Sequence, residues 1–320
     1  MTIAWVIGSG GLLGTALCRA LRRDGTALFV PQARFQWHDP VALEASMKAS
    51  IEQLESQLGG APRWELYWAA GVGTMSGGEA DIQPETRALS QMLQLLGASA
   101  LLTATPGAVS MASSAGAIYA GSTDSVITEQ TQPHPTTPYA LAKLQQENLV
   151  ATFVQTHANL CGMAARISTL YGPGQANGKK QGLLTHIARK IIRNQLIQIY
   201  VPFDTIRDYI SADDAASAMI RSLRAQPATS RFLVKIVASE RPTTIAEIVS
   251  TFKRIVRRAP RIVTSANRMT SLYSRRVQFR SVVLPAAGTV ASTSLAIGIS
   301  QLMIAERAAF GQGAQGDYRP

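Results

Sequence analysis

Tyr139 and Lys143 stand four residues apart in the segment TPYALAKL, residues 137–144. In a helix the two side chains share one face, one turn apart. An ammonium beside a phenol favours the phenolate, so the pair predicts a tyrosine able to exchange a proton nearer neutral pH. The spacing alone is weak, because Y-x-x-x-K arises by chance in many helices. Two upstream patterns give it weight. IGSGGLLG, residues 7–14, sets Gly8, Gly11 and Gly14 at spacing G-x-x-G-x-x-G, and Gly10 also permits G-x-G-x-x-x-G. Glycines between a strand and a helix let the backbone approach a pyrophosphate at the helix N-terminus, which predicts dinucleotide binding rather than a plain turn. MASSAGAIY, residues 111–119, places Ser113 and Ser114 where a strand ends. Either hydroxyl could hold a substrate hydroxyl or carbonyl there, or simply satisfy the strand end.

These residues need a scaffold, and the pattern around them supplies one. Strands are predicted at 3–7, 28–30, 65–70, 109–113 and 160–167, with a further short one at 35–37. Helices are predicted at 12–23, from the Asp39-Pro40 cap to Leu58, at 84–102, and from the Thr137-Pro138 cap through Lys143. This alternation predicts an α/β fold: a Rossmann-type doubly wound parallel sheet. After Tyr171 the pattern loosens through Gly172-Pro173-Gly174 and Asn177-Gly178. Helices are expected at 183–193, 213–224, 243–258 and 294–309. Strands are expected at 206–210 and 232–237, and an extended run at 277–284. The division is a dinucleotide-binding domain over 1–170 and a smaller, interleaved C-terminal substrate lobe over 171–320. Late strands near 205–238 return to the first domain, and the tail 311–320 is read as disordered.

Composition narrows the classes. The chain has 320 residues, 46% of them hydrophobic and 16% charged, enough for a large core. Its two cysteines, Cys18 and Cys161, lie in apolar segments and read as free thiols in a reducing, cytoplasmic protein. The uncharged stretch from Ser281 to Ala305 contains Pro285 and two glycines, so it reads as strand, loop and helix rather than an integral membrane segment. The net charge is +11, and no acid occurs between Glu247 and Glu306. Lys253, Arg254, Arg257, Arg258, Arg261, Arg268, Arg275, Arg276 and Arg280 fall in that interval. They form either a solvated basic face or an attractor for a diphosphate or an anionic surface. No nucleic-acid motif accompanies them, and aromatics are only 6%. His38, His134, His157 and His186 have no ligand spacing, so no metal is expected. Asp213-Asp214 reads as a helix cap and dipole partner.

Taken in order and at these intervals, the glycine turn, the SSAGAIY segment and Y-x-x-x-K resemble the extended short-chain dehydrogenase/reductases. Within them the chain is similar to the NAD-dependent epimerase/dehydratase group acting on nucleotide sugars. RISTLYGPG (166–174), IRDYISADDAA (206–216) and TTIAE (243–247) agree with later segments of that group. The resemblance implies that Gly8, Gly11 and Gly14 cradle the cofactor pyrophosphate, with Leu12 and Leu13 beside them and Ala69, Ala70 and Gly71 lining the cofactor. It implies Tyr139 as general acid/base, with Lys143 binding the nicotinamide ribose and lowering the tyrosine pKa. Ser114 would meet the reacting oxygen. Ser113 and Thr169 would face the sugar, and Arg207, with Arg276, would meet its diphosphate. Residue by residue, Arg207 could instead pair with Asp208 or Asp213, and Arg276 could be a surface charge.

Departures from the group's pattern qualify these roles. The usual Ser/Thr position falls on Ala115, one residue after Ser114. After the second strand the sequence VPQARF, residues 30–35, has no acid to grip the adenosine ribose, and Arg34 could meet a 2′-phosphate, so both NAD and NADP remain open. Thr169 replaces a common asparagine. The expected activity is an NAD(P)-dependent epimerase working by transient hydride transfer on a nucleotide-sugar substrate. Alternatives are a sugar-nucleotide reductase or dehydrogenase, a dehydratase (disfavoured by the absence of an acid in SSAGAIY), and a non-catalytic NAD(P)-binding sensor. A homodimer is common in the group.

Overall fold

The structure is a computed structural model. It describes residues 1–75, 77–174, 182–257, 259–264, 276–285 and 293–316. The Asn177-Gly178 turn, Arg258, Arg268, Arg275 and the last four residues lie outside that set. The first half runs β1 (Ile3–Ile7), α1 (Leu12–Arg23), β2 (Ala27–Phe29), α2 (Pro40–Leu58), β3 (Trp64–Trp68), α3 (Glu79–Ala98), α4 (Ala100–Ala104), β4 (Gly107–Ser114), α5 (Ala115–Ile118), α6 (Pro138–Thr156) and β5 (Leu160–Ile167). The second runs β6 (Thr169–Tyr171), α7 (Leu183–Ile192), β7 (Ile197–Ile199), β8 (Ile206–Ser211), α8 (Ala212–Arg224), β9 (Phe232–Val237), β10 (Pro242–Thr244), α9 (Ile245–Val256), β11 (Ile262–Thr264) and α10 (Leu295–Gly316). Among the described residues, no helix is long and apolar enough to cross a membrane.

Six strands form a wholly parallel sheet in the order β2-β1-β3-β4-β5-β9. Alternate strand residues feed two cores. On one face Trp5, Leu66 and Val109 pack with Met47 and Leu54 of α2, Leu89 and Met92 of α3, and Phe153 of α6. On the other, Val6, Tyr67 and Ala108 pack with Leu17 of α1 and Met219 and Leu223 of α8. A strand buried on both faces reads as a continuous apolar run, as WELYW does in β3. The chain leaves β1 toward β2 and then crosses back to β3, so the crevice at the β1/β3 carboxyl ends is the topological switch point.

The β9 strand joins the main sheet beside β5, whereas β8 does not. It pairs with β6 and β10 in a separate three-stranded sheet. A third core, with Ile187 and Ile191 of α7, Ile248 and Phe252 of α9, and Leu302 and Met303 of α10, fills the C-terminal lobe. Helix caps follow the sequence closely. Asp39 accepts from the Val41 and Ala42 amides, Thr137 from Ala140, and Thr244 forms a capping box with Glu247. Three expectations fail. Phe35–Trp37 is not a strand; its rings pack edge-on, Phe35 against Trp5 and Trp37 against Trp68, with centroids at 6.1 and 6.2 Å. α3 begins at Glu79 rather than Pro84, because the Asp81 carboxylate accepts from the Gly78 amide and caps the helix a turn earlier. Residues 311–316, read as tail, continue α10.

Candidate active site

The glycine turn follows β1 directly. Gly8 has φ +87, a left-handed conformation that side chains disfavour. A Cβ there would lie 2.6 Å from the Ala70 nitrogen, and one on Gly14 would lie 2.1 Å from the Gly8 carbonyl oxygen. Only hydrogen fits at either place, so the turn presses against Ala69 and Ala70 at the end of β3. Gly11 caps α1 without a side-chain hydrogen bond, and the first turn holds no acid. Helix geometry leaves the amides of Leu12, Leu13 and Gly14 without intrahelical acceptors, a suitable cradle for an anionic phosphate. The residues present therefore fit a dinucleotide cofactor. Arg34 is exposed on the loop after β2.

Ser114 is the last residue of β4 and caps α5, accepting from the Ala117 amide at 3.3 Å. Its hydroxyl lies close enough to the Tyr139 phenol to oppose the rise of that phenol's pKa. Tyr139 lies in the first turn of α6, started by Thr137 and Pro138. A Cβ placed on Gly73, beyond β3, would stand 3.2 Å from the Tyr139 ring, so the phenol borders the same loop that carries Gly71. Lys143 is buried, with Nζ 5.7 Å from the Tyr139 ring centroid. That ammonium donates to Gln146 Oε1 at 2.9 Å, and Gln146 in turn donates to Thr86.

Two expected roles are corrected by this geometry. In the protein without cofactor the Tyr139 phenol is pushed up to about 12, not down. Burial is the main cause, the Glu85 carboxylate adds to it, and the Ser114 hydroxyl opposes both. Lys143 stands over the ring and is drawn to Gln146, and its own pKa is lowered by burial against the pull of Glu85 and Glu147. Ser113 does not face the cleft. Its hydroxyl donates at 2.6 Å to buried Glu147, which also takes Arg166 through Nε at 3.0 Å and Nη2 at 2.7 Å. Strand alternation turns Ser113 inward where Ser114 faces the site.

On the substrate side, Thr169 opens β6 and pairs with Tyr209, two residues after Arg207. Arg207 donates to the Ile206 carbonyl, and the chain at Arg276 bridges in parallel to Ile206. Arg276 thus meets the start of β8 at an isolated bridge, opposite Ile206 rather than Arg207. Asp208 is occupied elsewhere: it accepts from the Ser168 hydroxyl at 2.5 Å, from the Ser239 amide and hydroxyl, and from the Arg241 amide. Asp213 pairs with Arg19 at 2.6 Å, and the α8 cap is Ser211 rather than an aspartate. Sequence reasoning missed Glu85. Reading Pro84 as the helix start made it an ordinary first-turn acid, when it lies a turn deeper and touches the loop at 71–73.

Comparison with known proteins agrees with this architecture. The model of the NAD dependent epimerase/dehydratase family matches residues 4–234. A dTDP-L-rhamnose 4-epimerase of Burkholderia thailandensis is 30% identical over 101 residues, 31% of this chain and 27% of that protein. A dTDP-4-dehydro-6-deoxyglucose reductase of Escherichia coli is 33% identical over 112 residues, 35% of each. The chain therefore matches only about a third of these curated relatives' length. Whole-chain likeness is structural. A Thermotoga maritima UDP-glucose 4-epimerase solved with UDP-glucose superposes with TM-score 0.77 at 17% identity, covering 97% of this chain and all of that one. The RMD protein of Pseudomonas aeruginosa, complexed with NADPH, gives 0.78 at 20% identity with the same coverage. With the family model spanning β1 through β9, this chain belongs to the NAD dependent epimerase/dehydratase family.

Proposed function

We propose that this protein is an NAD(P)-dependent nucleotide-sugar epimerase acting by transient hydride transfer, with Ser114, Tyr139 and Lys143 as its reacting site. The observation that carries the reading is the meeting of the Ser114 hydroxyl, the Tyr139 phenol and the Lys143 ammonium beside the loop that abuts the glycine turn. The bound cofactor supplies the hydride acceptor and donor. The amides of the α1 first turn would hold its pyrophosphate, and Lys143 would hold its ribose. Tyr139 Oη would take the proton of a sugar hydroxyl during the oxidation and return it during the reduction. Ser114 Oγ donates to the reacting oxygen and keeps it within reach of the phenol. Arg207 would meet the diphosphate, with Thr169 on the adjoining strand β6, and Arg276, bridged to Ile206, is a second cation.

Relatives acting on dTDP-sugars and fold neighbours bound to UDP-glucose support a nucleotide sugar as substrate. NADP is as compatible as NAD, since no carboxylate follows β2 and Arg34 is exposed there. A reductase is the second reading, favoured by the reductase segment match. One experiment separates them. The purified protein is incubated with UDP-, GDP- and dTDP-hexoses while products and cofactor absorbance are followed. Epimerisation yields a new sugar with no net change in cofactor redox state. Steady consumption of reduced cofactor by a keto sugar would establish the reductase instead. A protein that binds neither pyridine nucleotide would end both readings.

A further inference from the structure

Glu85 lies on α3, away from the glycine turn and the serine segment, yet its carboxylate reaches the cleft. Oε1 accepts from the amides of both Val72 and Gly73, the loop that leaves β3 beneath the site. Oε2 is buried and has no hydrogen-bond partner among the described residues. It lies against Gly71, where an added Cβ would come within 3.1 Å of it. A Cβ on Gly73 would touch the Tyr139 ring at 3.2 Å on one side and Glu85 Oε1 at 3.3 Å on the other. An acceptor atom buried without a donor costs stability unless it serves a purpose.

We propose that Glu85 is a positioning residue for Tyr139: its carboxylate anchors the loop at 71–73 against the Tyr139 ring and sets a negative charge on that side of it. This deepens the proposed function and rests on its assignment of Tyr139. The charged and titratable neighbours are few. Lys143 faces the phenol from α6, with Glu147 behind it on the same helix; Glu85 faces it from α3; Ser114 meets it from β4 with a neutral hydroxyl. The loop 71–73 contributes none. A negative charge beside a phenol disfavours the phenolate, in agreement with the raised pKa of Tyr139. The arrangement therefore holds the tyrosine proton more firmly than burial alone would.

The test reads tyrosinate absorbance against pH in the cofactor-free protein, with Tyr139→Phe subtracted to isolate one phenol. Wild type should show no Tyr139 ionisation below about pH 11. Glu85→Gln keeps the oxygen that accepts from Val72 and Gly73 but removes the charge. It should bring the phenol down by about one pH unit, a signal that vanishes in Glu85→Gln/Tyr139→Phe. Coincident traces for wild type and Glu85→Gln would overturn the proposal. So would a Tyr139 that already titrates near its ordinary value of about 10. Should Glu85→Gln not fold, the wild-type protein still decides. The free-protein titration needs no turnover, so its outcome is independent of whether the protein proves to be an epimerase.

Discussion

Burial, and after it the Glu85 carboxylate, push the Tyr139 phenol up to about 12, so it is protonated at neutral pH. Tyr139→Phe removes the proposed proton acceptor while keeping the ring against Gly73. Turnover should fall by about 10³-fold or more, with cofactor affinity within about threefold, as measured by kcat and by equilibrium titration with NAD(P)H. Unchanged turnover would remove the tyrosine from the mechanism. The Tyr139–Lys143 pair was legible as spacing on one helix. The direction of the phenol's pKa was not, because it is set first by burial, which spacing cannot report, and then by Glu85, more than fifty positions earlier in the chain.

The turn between β1 and α1 tolerates no side chain where its backbone folds on itself. In Gly14→Ala the new methyl would meet the Gly8 carbonyl oxygen at 2.1 Å, and a backbone neighbour cannot swing away. The variant should lose about 100-fold or more in nucleotide affinity and melt earlier, readable by calorimetry and thermal denaturation. A second element-scale test concerns the segment 276–285, which carries Arg276. Lys235, buried on β9, donates to the Ser281 hydroxyl at 2.5 Å and the Val283 carbonyl at 2.7 Å, while Glu129 accepts from the Ser281 hydroxyl and the Val282 amide. Lys235→Met leaves this polar cluster half-satisfied. It should cost about 2 to 4 kcal/mol in urea denaturation and raise KM for the nucleotide sugar more than it lowers kcat. Elements with local punctuation were readable in advance: Asp39, Thr137 and Thr244 each cap a helix where the sequence places one. Elements defined by distant partners were not. Phe35–Trp37 has the aromatic character of a strand, yet its rings are claimed by Trp5 and Trp68 and its backbone joins no sheet. Ser113 and Ser114 are indistinguishable in sequence until Glu147 and Arg166 take one of them.

Tyr139, Tyr171 and Tyr209 are each raised to about 12, and burial is the first cause for all three. A phenol held protonated by folding stabilises the native state fully below its unfolded value near 10, and that stability is lost as pH rises through the folded value. Each can contribute up to about 2 to 3 kcal/mol, so the urea midpoint should fall steeply between about pH 10 and about pH 12. Tyr209→Phe should make that decline shallower; an unaltered slope would show that its phenol is not kept protonated by folding. The six-stranded sheet also has a consequence for how the chain is made. Its last member, Phe232–Val237, lies beside Leu160–Ile167, although more than sixty residues of the other lobe separate them in sequence. A nascent chain halted near residue 170 exposes an eight-residue apolar strand with a row of open amides and carbonyls, a template for pairing with its neighbours. Translation must run past Val237 before that margin is sealed. A fragment ending near residue 170 should therefore self-associate through that margin, which size-exclusion chromatography would read.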